Sequence, residues 1–315
     1  MTFVLVLVVS ALALPWAGTL LARRLAGVLP PREACWALTG ASVLLAGGTV
    51  AALVGLFHAP FLASLEQVPL PRVLEVWPAL VPLACAAGVV MLVQLVLLLR
   101  RWVRHRALLK DAWQAAGEGT GDGDLLVVPG TGVDAFALPG HRGRSGRIVV
   151  TSGMLRALKA NEREVLLAHE RAHLTGRHHL LSALVELASV VHPALLGLRD
   201  ALTLHLERWA DEAAAAAVGD RRVAAAAIAR AALAGASHDR ASRRGYPLLS
   251  ATSGPVPQRV EALLLPEPEA PRGSLRRAGV IALAAMVAAA ALTAVSLAYG
   301  LHEYVEFAAV AVRGG

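Results

Sequence analysis

A chain of 315 residues could make two ordinary soluble domains, but 56% of this one is hydrophobic and its mean hydropathy is +0.57, values that point to a membrane protein. Its formal net charge of +7 comes from arginines crowded beside apolar segments, which fits contact with anionic lipid and argues against direct nucleic-acid binding. The two cysteines, Cys35 and Cys85, lie inside apolar runs, so neither a disulfide framework nor a cysteine zinc site is expected and both read as packing residues.

Four apolar segments are long enough to cross about 30 Å of hydrocarbon as helices: about 3–21, 35–56, 77–99 and 278–299. The first lacks a basic stretch before its apolar run, and "LARR" follows where a small-residue cleavage site would stand, so it reads as an uncleaved span rather than a signal peptide. The loop after it holds Arg23, Arg24 and Arg32, whereas the loop from His58 to Val76 has no basic excess. By the positive-inside rule the first loop is cytoplasmic and the second is not. "RRWVRHR" closes the third span and "RGSLRR" precedes the fourth. The expected organisation is therefore three spans within 1–101, one cytoplasmic domain over 102–277, and a fourth span with a short tail over 278–315, with both termini extracytoplasmic in a bacterial-type plasma membrane.

The central region opens with a helix-forming stretch, "HRALLKDAWQAAG", and a Gly/Asp-rich turn. "DLLVVPG" (Asp124 to Gly130), "DAFALPG" (Asp134 to Gly140) and "GRIVVTSG" (Gly146 to Gly153) are strand-length runs bounded by Gly or Pro, the pattern of a small sheet. Thereafter the pattern is helical, and the alanine runs near Ala213 and Ala224 are strong helix formers. The predicted fold is an α-helical membrane protein with about four spans and a mainly α (α+β) cytoplasmic domain.

Asn161 and Glu164 have the spacing of a capping box, opening a helix that Gly176 stops. On it His169 and His173 stand at i and i+4, so both imidazoles project from one face and can hold one ion, with Glu170 beside them. This is the HExxH pattern of zinc hydrolases. Two neutral imidazoles leave zinc coordination open, and a carboxylate that is not a ligand takes the proton from a water polarised by the ion. Downstream, "HLERWADEAAA" supplies Glu207 and Asp211, again at i and i+4. Glu207 completes a His₂Glu set for one Zn²⁺, and Asp211 reaches a ligand histidine from behind.

With these residues the chain resembles the gluzincin membrane metallopeptidases, in which HExxH is followed by a helix bearing Glu-x-x-x-Asp. One branch holds the transducer-type, β-lactam-sensing membrane proteases, and the other the heat-shock membrane protease and the CAAX prenyl protease. "DAFALPG" is closest to the Asn-Ala-Phe edge strand of the second branch, with Asp134 standing where that branch has Asn. "VVHPALLGLRDALTLHLERWADEA" and the three-plus-one span layout are more like the transducer branch, with Ala210-Asp211 in place of its Cys-Asp. "PQRVEALL" (Pro257 to Leu264) resembles the closing Arg-containing helix of both. Only about fifteen residues follow the fourth span, too few for a penicillin-binding sensor domain, so direct β-lactam reception is not expected.

The resemblance implies peptide-bond hydrolysis with His169, His173 and Glu207 as zinc ligands, Glu170 as general base and acid, and Asp211 orienting a ligand. It also implies an extended substrate along an edge strand, for which Asp134, Ala135, Phe136 and Ala137 are the candidates. His238, Arg243 and Arg244 in "ASHDRASRRGY" are read either as donors to the oxyanion or as a basic loop. His178 and His179, past the helix stop, read as loop or surface residues, His192 as a hydrogen-bonded core histidine, and His205 as a non-ligand pointing away from Glu207. "LLSALVELASVVHPALLGL" (Leu180 to Leu198) is nearly long enough to span, but a full crossing would put Glu207 on the far side from His169, so it is expected to be re-entrant, membrane-facing or core. The favoured function is a membrane-embedded zinc metalloendopeptidase cleaving a cytoplasmic protein, such as a transcriptional repressor, in regulatory signalling. Membrane-protein quality control and a catalytically silent zinc-stabilised scaffold are the alternatives, and self-association into a homo-oligomer stays open.

Overall fold

The structure, a computed structural model, describes residues 2–65, 78–117, 123–140, 143–239 and 255–266 as continuous stretches, with scattered positions elsewhere. Its first elements are long helices, α1 (Thr2–Ala26), α2 (Pro31–Leu65) and α3 (Leu80–Ala116). Among the described residues two segments, Pro31–Phe61 and Leu80–Ala116, are long and apolar enough to cross a membrane. Of the expected fourth span only scattered positions, such as Ile281, Leu292 and Tyr299, are described, each helical. The third expected span and the helix expected after it prove to be one element. No glycine or proline interrupts α3 between Leu99 and Trp113, so "RRWVRHR" is simply the stretch at which a 37-residue helix changes from apolar to charged.

The three expected strands form one sheet in the order β1-β3-β2, from β1 (Leu125–Val128), β2 (Ala135–Leu138) and β3 (Arg147–Thr151). β1 runs parallel to β3 and β2 antiparallel to it, pairing Ala135 with Val150 and Ala137 with Ile148, so β2 is an edge strand. One face of the sheet packs Leu126, Leu138 and Val149 against Ala112 and Ala116 at the end of α3. The other packs Ala135, Ile148 and Val150 against Met154 of α4 (Ser152–Ala157) and Leu166 of α5 (Ala160–Thr175). The alternation of strand side chains thus serves two helical layers.

The start of α5 differs from the expected capping box. Lys159 stands at its N-cap, and Glu162 rather than Glu164 closes the turn, its Oε2 accepting from the Lys159 N–H at 2.9 Å. The helix begins two residues sooner than the Asn161 signal suggested, because Glu162 is also drawn inward by Arg230, 2.9 Å away. Gly176 ends the helix as expected.

The rest is α6 (His178–Val191), a short 3-10 turn (Pro193–Leu195), α7 (Leu196–Val218), α8 (Arg221–Asp239) and α9 (Val256–Leu264). The segment Leu180 to Leu198 folds back as a hairpin. Its inner face, Leu181, Val185, Leu195 and Leu198, continued along α7 by Leu202 and Leu206, shares one core with Ala22 and Leu25 of α1 and Leu38 and Leu45 of α2. A second core joins Val165 of α5, Ala214 of α7, Ala224 and Ile228 of α8 and Leu263 of α9. α7 therefore belongs to both cores, and the polar residues at its middle are fixed from both sides.

Candidate metal centre

α5 and α7 present their i, i+4 pairs to each other. Nε2 of His169 and Nε2 of His173 are 3.1 Å apart, and each lies 3.6 Å from an oxygen of Glu207. One ligand atom from each of these three buried residues lies within 4.8 Å of the others. Ligand atoms at 2.0–2.2 Å from a tetrahedral ion are separated by about 3.3 Å, so these spacings fit a zinc site. The donor chemistry fits too: Oε1 of Glu207 has no hydrogen-bond partner among the described protein atoms, leaving its lone pairs for a cation.

Each ligand is held from behind. Asp211 Oδ1 lies 3.0 Å from Nδ1 of His169, fixing Nε2 as the face turned to the ion. Nδ1 of His173 lies 2.8 Å from Nδ1 of His178. A His173 that offers Nε2 to a cation carries its proton on Nδ1, so it donates to an unprotonated Nδ1 of His178. Glu207 and Asp211 share Arg259 of α9, whose side chain is fully buried. Its Nη1 is 2.8 Å from Glu207 Oε2, and its Nε and Nη2 make a fork to Asp211 at 2.8 and 2.7 Å.

The electrostatics follow from burial and these pairs. Burial opposes charge on His169, but Asp211 and Glu207 overcome it and carry its pKa up to about 10. Burial, then the nearby His169 charge, pushes His173 down to about 3. Burial acts to raise Asp211, yet Arg259 and His169 hold it at about 2. Glu170, 0% exposed, has neither oxygen hydrogen-bonded within the described protein. Burial raises its pKa to about 8, with the Glu207 and Asp134 charges adding to the effect and His169 and Arg259 opposing it. A carboxyl of that pKa, left without protein partners, has its proton near neutral poise and its oxygens free for solvent or substrate.

Peptidase family M48 matches residues 101–267, just over half of the chain. The chain belongs to this family. No curated protein and no solved structure matches it. Membership makes the protein a metallopeptidase of a kind that is typically zinc-dependent, and the matched segment runs from the charged half of α3 to just past α9.

Within this M48 domain, His169, His173 and Glu207 come together, with Glu170 and Asp211 beside them. Ala135, Phe136 and Ala137 lie on the edge strand, Phe136 and Ala137 half-buried, and Asp134 at its head is close enough for its charge to act on Glu170. The side chain of His238 and all of Arg243 and Arg244 lie outside the described residues. His192 is a buried histidine whose Nδ1 accepts from the Ala194 N–H at 3.2 Å, as expected. His205 is buried in α7 and takes no part in the ligand group.

His178 corrects the expectation of a loop or surface residue. It opens α6, is fully buried, and packs between His173 and Trp209. Gly176 and Arg177 cause this. Arg177 takes a left-handed backbone (φ 51) at the turn from α5 into α6, and a Cβ on Gly176 would fall 2.5 Å from Nε2 of His178. Arg259 was visible in sequence only as part of the "PQRVEALL" helix. A single arginine on the apolar side of that short helix was the available signal, since a buried guanidinium requires carboxylate partners.

Proposed function

We propose that this M48 protein is a membrane-anchored zinc metalloendopeptidase, of the transducer-like branch, that cleaves a cytoplasmic protein in regulatory signalling. The observation carrying the catalytic part is Glu170: a buried carboxyl with no hydrogen-bond partner among the described residues, next to a His₂Glu set spaced for one cation. A purely structural zinc site has no use for such a group, which argues against the silent-scaffold reading. His169, His173 and Glu207 would hold the zinc, which supplies Lewis-acid polarisation of water and of the scissile carbonyl. Glu170 takes the proton of the attacking water on its carboxylate oxygen and delivers it to the leaving amine. Asp211 and Arg259 fix the ligands. A peptide added antiparallel to β2 at the sheet edge would pass Phe136 and Ala137 and reach Glu170 by way of Asp134.

The positive-inside distribution of Arg23, Arg24, Arg32 and Arg100–Arg106 supports a cytoplasmic catalytic domain. Mapping new protein N-termini in cells that express the chain or its Glu170→Gln variant tests the reading. One dominant cytoplasmic target cut only by the intact chain means signalling. Many membrane fragments mean quality control, and no difference between the two chains overturns the protease assignment.

A further inference from the structure

We propose that the α6–α7 hairpin is a shallow re-entrant wedge, its tip dipping into the lipid leaflet that receives the charged half of α3, with Leu187 and Leu196 against acyl chains. The inference rests on the membrane reading of α2 and α3 above and adds a surface of the catalytic domain itself.

Two ties set the depth. Arg101 of α3 donates from Nη1 to Glu186 of α6, and Gln94 donates from Nε2 to the carbonyl of Val191 at 2.9 Å. These contacts run antiparallel: seven residues down α3, about 10 Å, matches five residues down α6, about 7.5 Å. Gln94 belongs to the apolar part of α3, since no charge occurs between Leu80 and Leu99. If α3 crosses, Val191 and the turn after it lie below the hydrocarbon edge. α1 gives the same level independently, because Thr19, four residues inside Arg23, donates to the carbonyl of Ala194 at 3.2 Å.

The turn is built for a place without water. Backbone polar groups in hydrocarbon must be satisfied by protein. The Val191 carbonyl has Gln94, the Ala194 carbonyl has Thr19, the Ala194 N–H has Nδ1 of His192, and the Leu195 N–H has the His192 carbonyl. Above the tip, Arg101, Glu186 and Arg199 form a half-exposed ionic collar at the level where headgroups would lie. Leu187 is 37% and Leu196 40% exposed, and the exposed apolar side of α6 continues past Glu186 to Leu184 (44%) and Leu180 (47%), surface that lipid covers more favourably than water does. Along α7, Glu207 stands twelve residues or about 18 Å from Leu195, so the ligands clear the hydrocarbon and keep the water that hydrolysis consumes.

The test uses the full-length chain with Cys35 and Cys85 replaced by alanine, single cysteines labelled with bimane, and liposomes containing lipids that carry a nitroxide on the acyl chain. Cysteines are placed at Leu187 and Leu196, at Leu92 on the outside of α3, and at the exposed Glu164 of α5. Both tip positions should be quenched to at least about half the extent found at Leu92, with Glu164 unquenched. Quenching at Leu92 but not at Leu187 or Leu196 overturns the wedge and leaves the membrane reading intact. No quenching at Leu92 overturns the membrane reading and the wedge together.

Discussion

At the scale of single residues, the site holds more charge than a protein interior tolerates unpaired, and Arg259 and His169 each meet both Glu207 and Asp211. Arg259 answers two carboxylates at once. Arg259→Ala should therefore destabilise the domain by about 3–5 kcal/mol, the cost of leaving a buried ion without its partner, seen as a lower denaturation midpoint in urea. Glu170 carries the opposite kind of stress. Its folded pKa, about 8, exceeds the ordinary 4.5, so the stability it contributes is full below pH 4.5 and is lost as the pH rises through about 8. In the zinc-free protein, Glu170→Gln should remove this alkaline loss and make the variant the more stable of the two near pH 8, by thermal melts across pH. The same variant should keep its zinc while hydrolysis falls by about 10²–10⁴-fold. Equal activity in the two proteins would remove Glu170 from the chemistry.

At the scale of elements, the reversal between α5 and α6 is decisive. Two helices at i, i+4 spacing position the ligands, but the turn at Gly176 and Arg177 brings His178 behind His173. Gly176→Ala places a methyl against a buried imidazole and should cost about 1–3 kcal/mol. Because the ring pushed aside is His178, the variant should also bind zinc more weakly, measured by competition with a chromophoric chelator. Unchanged zinc affinity despite the lost stability would show that His178 only fills space. The HExxH spacing was legible because helical periodicity fixes which side chains share a face. The site of the cap was not, since Glu162 was chosen over Glu164 by a partner 68 residues away, Arg230.

At the scale of the whole molecule, metal and fold are linked. A divalent cation between His169, His173 and Glu207 displaces the proton that Asp211 and Glu207 hold on His169, whose pKa is about 10. Zinc affinity should therefore rise with pH, by up to about tenfold per unit between about pH 6 and 8, with proton release visible as a buffer-dependent calorimetric heat. Chelation should lower the melting temperature, because the ion binds the folded site and has no preformed site in the unfolded chain.

The sequence alone determined the ligand pairs, the three strand-length runs, the apolar helices and the arginine asymmetry, because each depends on local spacing or composition: a period of 3.6, a short run between Gly and Pro, or an apolar run of fixed length. Tertiary structure alone decided which carboxylate caps α5, that His178 stands behind a ligand, and that Arg259 joins Glu207 to Asp211. It also decided that Leu180 to Leu198 folds back as a hairpin against α1 and α2. Those outcomes depend on contacts between residues far apart in the chain, where the energy of a buried charge or an apolar face is set by whichever partner the fold brings to it.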